Sequence, residues 1–131
     1  MKKLSVLFLA AVFCLSLVGC SKDAEINTFM TEWETVTNEI SQKLETGDVD
    51  GAQTAFNAKK ESLKAKWDGV KGARGFQVSE DAKKKMEEGA KKNMSTLTSA
   101  VMKGSMKMAT NKGAVDKMQA LMKDYVAIFQ M

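Results

Sequence analysis

Apolar residues return every three or four positions through most of residues 24–131, the spacing that gathers them on one face of an α-helix. Ile26, Phe29, Met30, Trp33, Val36, Ile40 and Leu44 form the first stripe. It predicts a helix from about Ala24 to Thr46, with Asp23 as its N-cap. Gly47 ends that helix and Asp48 caps the next, which makes a tight helical hairpin. The second helix runs from about Val49 to Val70 on the stripe Val49, Ala52, Phe56, Leu63, Trp67 and Val70. Gly69, Gly72 and Gly75 then open the chain between Asp68 and Val78, and Phe76 and Val78 are expected to tuck back over a bundle end.

Ser79 is a good N-cap, with Glu80 and Asp81 placed favourably against the dipole of a third helix. Ala82, Met86, Ala90, Asn93, Leu97, Val101, Gly104 and Met108 keep that helix in register, and Val115, Met118, Leu121, Met122, Tyr125, Ile128 and Phe129 mark the last. The two stripes join without a phase break, so periodicity does not place the turn between them. Thr110-Asn111-Lys112-Gly113 has better turn chemistry than Gly104-Ser105. The expected fold is all-α, a small up-down-up-down four-helix bundle over residues 24–131; a three-helix bundle with one long bent helix is the alternative. Gly47-Asp48, Ala52 and Phe56 also resemble the inter-helix turn of a tetratricopeptide repeat. A step of about 34 residues reaches Met86 and Ala90 with no second copy of that turn, so one hairpin is expected and not a solenoid.

The first twenty residues follow a different pattern. Met1-Lys2-Lys3 is a short basic start, and Leu4 to Val18 is an apolar run. A spanning helix needs about 20 apolar residues, so this is a secretory signal segment. It ends on Leu17-Val18-Gly19-Cys20 instead of an Ala-x-Ala-like cleavage site. Those four residues resemble the lipobox of bacterial lipoproteins. The resemblance covers residues 1–20 alone. It implies a signal peptide over 1–19, cleavage between Gly19 and Cys20, a covalent diacylglycerol on the Cys20 sulfur and an N-acyl chain on the new amino terminus. No other cofactor is expected. One acyl chain holds a protein only marginally, whereas two or three anchor it stably. Residues 20–23 are then the anchor and its tether. With only Ser21 and Lys22 before Asp23, that tether spans at most about 10 Å. The resemblance places the protein in the bacterial cell envelope. Ser21 stands where an Asp commonly retains lipoproteins at the inner membrane of Gram-negative cells, which favours the outer membrane there.

Cysteine and charge narrow the reading further. Cys14 leaves with the signal and Cys20 is the anchor, so the mature domain must hold itself together by packing without disulfides. The net charge of +4 hides an asymmetry. Residues 20–57 carry two lysines against eight acids, and residues 58–131 carry sixteen Lys and Arg against eight acids. An acidic helix packed beside basic ones accounts for this. There is no histidine, which removes the usual general base, the Ser-His and Cys-His pairs, and the common zinc and haem ligands. The acids flank or oppose the apolar stripes, as solvated faces do. The expectation is therefore a binding or structural module and not an enzyme.

Two compositional features could carry binding. Lys83, Lys84, Lys85, Lys91 and Lys92 form a basic end of the third helix. Pairs such as Glu87–Lys91 and Glu88–Lys92 would make it an ordinary solvated face, and contact with anionic lipid or a cell-wall polymer is the functional reading. Eight of the ten methionines fall in 86–131. Met102 with Met106 and Met118 with Met122 are spaced to present paired thioethers, which suit Cu(I). Core filling is the simpler account; an adaptable apolar groove or a metal site is the sharper one.

Other short patterns carry less. Gly69, Gly72 and Gly75 lack the strand and the Gly-Lys-Ser/Thr ending of a phosphate loop. Asp48-Val49-Asp50-Gly51 lacks the later ligands of a calcium loop. No groove-reading motif for nucleic acid is present. The expected partners are a membrane through the anchor, and an envelope protein, a cell-wall polymer or a host ligand through the domain. A surface-exposed adhesin-like lipoprotein and a methionine-rich metal or apolar-ligand carrier are the rival functions.

Overall fold

The computed structural model describes residues 21–73 and 75–129; the signal segment, Gly19 and Cys20 lie outside them. Four α-helices account for nearly all of the described chain: α1 (Asp23–Glu45), α2 (Val49–Val70), α3 (Glu80–Lys107) and α4 (Lys112–Ala127). A 3-10 turn, Gly75–Gln77, lies between α2 and α3. The caps explain most of the boundaries. Gly47 takes a φ of 84°, a left-handed conformation that favours glycine. The Asp48 carboxylate accepts from the Gly51 amide at 2.8 Å, Ser79 Oγ from the Ala82 amide at 3.1 Å, and Asn111 Oδ1 from the Ala114 amide at 3.1 Å. The last of these sets the α3–α4 turn at 108–111. Gly104, the other candidate for that turn, lies inside α3.

Asp23 departs from expectation. It occupies the first helical position, with Lys22 as the N-cap residue. Its carboxylate accepts from the Ser79 amide at 3.0 Å, and the Lys22 amide donates to the Gln77 carbonyl at 2.7 Å. The start of α1 is thus tied to the start of α3, and a tertiary partner displaces the local cap. Hydrogen bonding from Ser79, assisted by the nearby Lys85 charge, holds the Asp23 carboxyl below the usual range.

Chain direction alternates up, down, up, down, but α1 is flanked by its hairpin partner α2 on one side and by α3 on the other. The α1–α3 pair is parallel: Asp23 meets Ser79, Glu34 meets Lys92, and Glu45 meets Lys103. Helix α4 packs along α2, with Lys117 Nζ 2.6 Å from the Asp50 carboxylate. Ile26, Phe29, Val36, Ile40, Leu44, Phe56, Leu63, Leu97 and Leu121 fill the core. Val78 is buried as expected, whereas Phe76 is 91% exposed and points out from the bundle.

Six aromatic side chains form a continuous cluster in the half of the core nearest the start of α1. Phe129 sits 4.5 Å from Trp33 and 5.6 Å from Trp67, centroid to centroid, and Phe29 touches all three. Tyr125 joins Phe129 to Phe56. Inside this cluster Trp33 Nε1 donates to the Tyr125 hydroxyl at 2.5 Å, and that hydroxyl lies 2.6 Å from Thr37 Oγ1. Burial pushes the Tyr125 phenol above its ordinary range, against the pull of the bonds from Thr37 and Trp33.

Candidate functional site

The acidic α1 is an inner helix, and three of its glutamates pair with lysines of its neighbours. Glu32 pairs with Lys66 of α2, Glu34 with Lys92 of α3, and Glu45 with Lys103 of α3 at 3.0 Å. Part of the charge asymmetry of the sequence is therefore an interhelical pattern. Contact with Lys66 also holds the Glu32 carboxyl below its ordinary range.

The five candidate lysines divide once those partners are assigned. Lys83 pairs with Glu80 at 2.6 Å, Lys84 with Glu88 at 3.9 Å, and Lys91 with Glu87 at 2.7 Å. Lys92 reaches across to Glu34 and leaves Glu88 to Lys84, so the expected Glu88–Lys92 pair is replaced by a tertiary one. The Glu87–Lys91 bond holds that carboxyl below, and that ammonium above, their ordinary values. Lys85 alone of the five makes no ion pair with a described residue.

Lys85 lines a groove of about 430 Å³ between α1 and α3, together with Gly89 and Asn93. These three recur at four-residue steps and form one ridge of α3. The facing wall is Asn27, Met30, Thr31 and Glu34 of α1. Asn93 is 2% exposed, yet its Nδ2 has no hydrogen-bond partner among the described residues. Gly89 has no side chain to occupy the gap, and the methyl of Met30 lies where its Cβ would be, 2.2 Å from that position. Periodicity put Asn93 in the core register but gave no reason to connect it with Lys85 or Asn27. The signals available in sequence were the unusual residues themselves: a glycine in mid-helix and an amide among apolar positions.

The methionine pairs divide between surface and core. Met102 and Met106 are exposed, Met118 is buried with its Sδ 4.0 Å from Ser105 Oγ, and Met122 is half-buried. A second, apolar groove of about 490 Å³ runs between α1 and α2, past Ala24, Thr28, Ala65 and Gly69. No described helix is long and apolar enough to cross a membrane. Comparison with protein families, with curated proteins and with solved structures finds no match to this chain.

Proposed function

We propose that this chain is a bacterial envelope lipoprotein, acylated on Cys20, whose helical bundle acts as a non-enzymatic binding module beside a membrane. The observation that carries the reading is Leu17-Val18-Gly19-Cys20 at the end of a short basic and apolar leader. Two or three acyl chains on one residue supply stable membrane attachment without a spanning helix.

The geometry near that residue supports a definite orientation. Helix α1 begins at Asp23, at the end of the bundle that also holds the close of α2 and the start of α3, and an anchor three residues before Asp23 would act at this end. Phe76 projects from this end at 91% exposure, and Lys83 and Lys84, each beside a glutamate at the surface, follow within the first turns of α3. An aromatic ring that enters the headgroup layer beside lysines attracted to anionic lipid gives a second, weaker contact with the same surface. The mature bundle therefore stands on this end, with the 46–48 and 108–111 turns directed away from the bilayer.

Fractionation of cells expressing the Cys20→Ala chain tests the anchor. The expected result is an unprocessed or released protein that leaves the membrane fraction at high salt. A chain still cleaved before residue 20 and still membrane-bound contradicts the proposal. Phe76→Ser is the companion variant for orientation: it lowers residual binding to anionic vesicles and leaves acylation untouched.

A further inference from the structure

The α1–α3 groove gives up stability in two places at once. Asn93 is a buried amide with an unpaired donor, a condition that ordinarily destabilises a fold. Gly89 sits in the middle of α3, where glycine is a poor helix former. Leucine at 93 and alanine at 89 would both suit an ordinary helix packed on α1. Both unfavourable residues line the same opening, one helical turn apart, and Lys85 lies a turn further, near the Asp23 charge but in no ion pair with a described residue. Gly89 also gives Met30 room to lie back against α3.

We infer that this groove is a ligand site for the carboxyl-terminal end of a short peptide. Lys85 supplies an ammonium for the carboxylate, as a charge-assisted hydrogen bond requires. The Asn93 Nδ2 donor is buried behind the groove wall and reaches a peptide carbonyl when the side chain turns outward, and Asn27 offers an amide that both donates and accepts. Met30 gives a small aliphatic side chain an adaptable apolar wall. A volume of about 430 Å³ lies in the roughly 300–1,000 Å³ range of small-ligand pockets. A phosphate is the poorer match, since its second negative charge would find no further cation in the groove lining. The site rests on the binding-module part of the proposed function and is independent of the anchor. The Cys20→Ala chain therefore retains it.

The test is titration of the isotope-labelled full-length protein, in dodecyl maltoside micelles, with N-acetyl-alanyl-alanine, its C-terminal amide and inorganic phosphate. The side-chain amide signals of Asn93 report the groove by NMR, and calorimetry reports affinity. The free acid is expected to shift those signals saturably and to bind at least about tenfold more tightly than the amide or phosphate. Lys85→Gln weakens binding about tenfold, close to the loss of one charged contact, and Asn93→Leu abolishes it. Gly89→Ala pushes Met30 into the groove and weakens binding while its thermal midpoint rises, a combination that misfolding does not produce. Overturning results are an unmoved Asn93 signal, an equal response to the amide or to phosphate, or wild-type affinity in the Lys85→Gln and Gly89→Ala chains. The Cys20→Ala chain, run in parallel, separates failure of the ligand site from failure of the anchor.

Discussion

Gly89 and Gly104 both face α1 from α3, and they do opposite things. A Cβ on Gly104 would fall 2.6 Å from the Leu44 carbonyl oxygen, a backbone atom with little freedom to move. At that end the two helices close to backbone contact, and Leu97 and Ala100 are fully buried beside it. A Cβ on Gly89 would meet only the flexible end of Met30. There the same pair of parallel helices leaves an opening, lined by polar side chains, one of them unsatisfied. One glycine admits the backbone of the facing helix, and the other admits a side chain from it. The lesson is that a parallel helix pair can be closed to backbone contact at one end and open at the other.

The largest expected effect breaks the closed end. Gly104→Ala should destabilise the fold by about 1–3 kcal/mol, the usual range for overpacking, despite the better helix propensity of alanine. Equilibrium denaturation measures it, and an unchanged midpoint would mean that α1 and α3 do not approach there as described. Comparable in size is Tyr125→Phe, which strands Trp33 Nε1 and Thr37 Oγ1 in the aromatic half of the core. A loss of about 1–3 kcal/mol is expected for the unpaired groups; a neutral result would show that the network is dispensable.

The open end should respond with the other sign. Asn93→Leu removes a buried amide with an unpaired donor and is expected to stabilise by up to about 1 kcal/mol, the lower end of the cost of such a group. Gly89→Ala should add roughly 0.5–1 kcal/mol from helix propensity, less whatever Met30 loses by moving. If both substitutions destabilise, the residues serve packing and the contrast between the two ends fails.

The smallest effect is acid dependence at the start of the interface. The folded Asp23 carboxyl lies below its unfolded value. Its contribution is therefore fully present above the ordinary carboxylate range, near pH 4, and is lost as pH falls through the lower folded value. Asp23→Asn should flatten the stability profile below about pH 4 slightly. An identical profile would remove Asp23 from the α1–α3 tie. Tyr125 acts in the opposite direction: its folded value is raised, so its contribution holds below about pH 10 and declines above it.

Local features were legible in the sequence because their causes are local. The apolar stripes of α1 and α2 and the caps at Asp48 and Ser79 need only neighbouring residues to form, and the structure has them where periodicity and capping put them. Features that depend on a partner element were not legible. Asp23 serves Ser79 instead of its own helix, Lys92 serves Glu34 instead of Glu88, and Phe76 leaves the bundle instead of covering it. An apolar stripe names a buried face without naming its neighbour, so the parallel α1–α3 pairing and its groove required the tertiary register. Asn93 and Gly89 were visible as oddities, but only the fold places them beside Lys85 and Asn27. For the anchor the balance is reversed, since it rests on four sequential residues that lie outside the described part of the chain.

The central functional claim is that Cys20 is the acylated first residue of the mature protein. Intact-mass analysis of the protein extracted from its native membrane, with fragmentation of the amino terminus, tests it most directly. The predicted result is a chain beginning at Cys20 that carries a diacylglyceryl group, with or without an N-acyl chain. A mass matching all 131 residues, or a mature chain with an unmodified Cys20, contradicts the account.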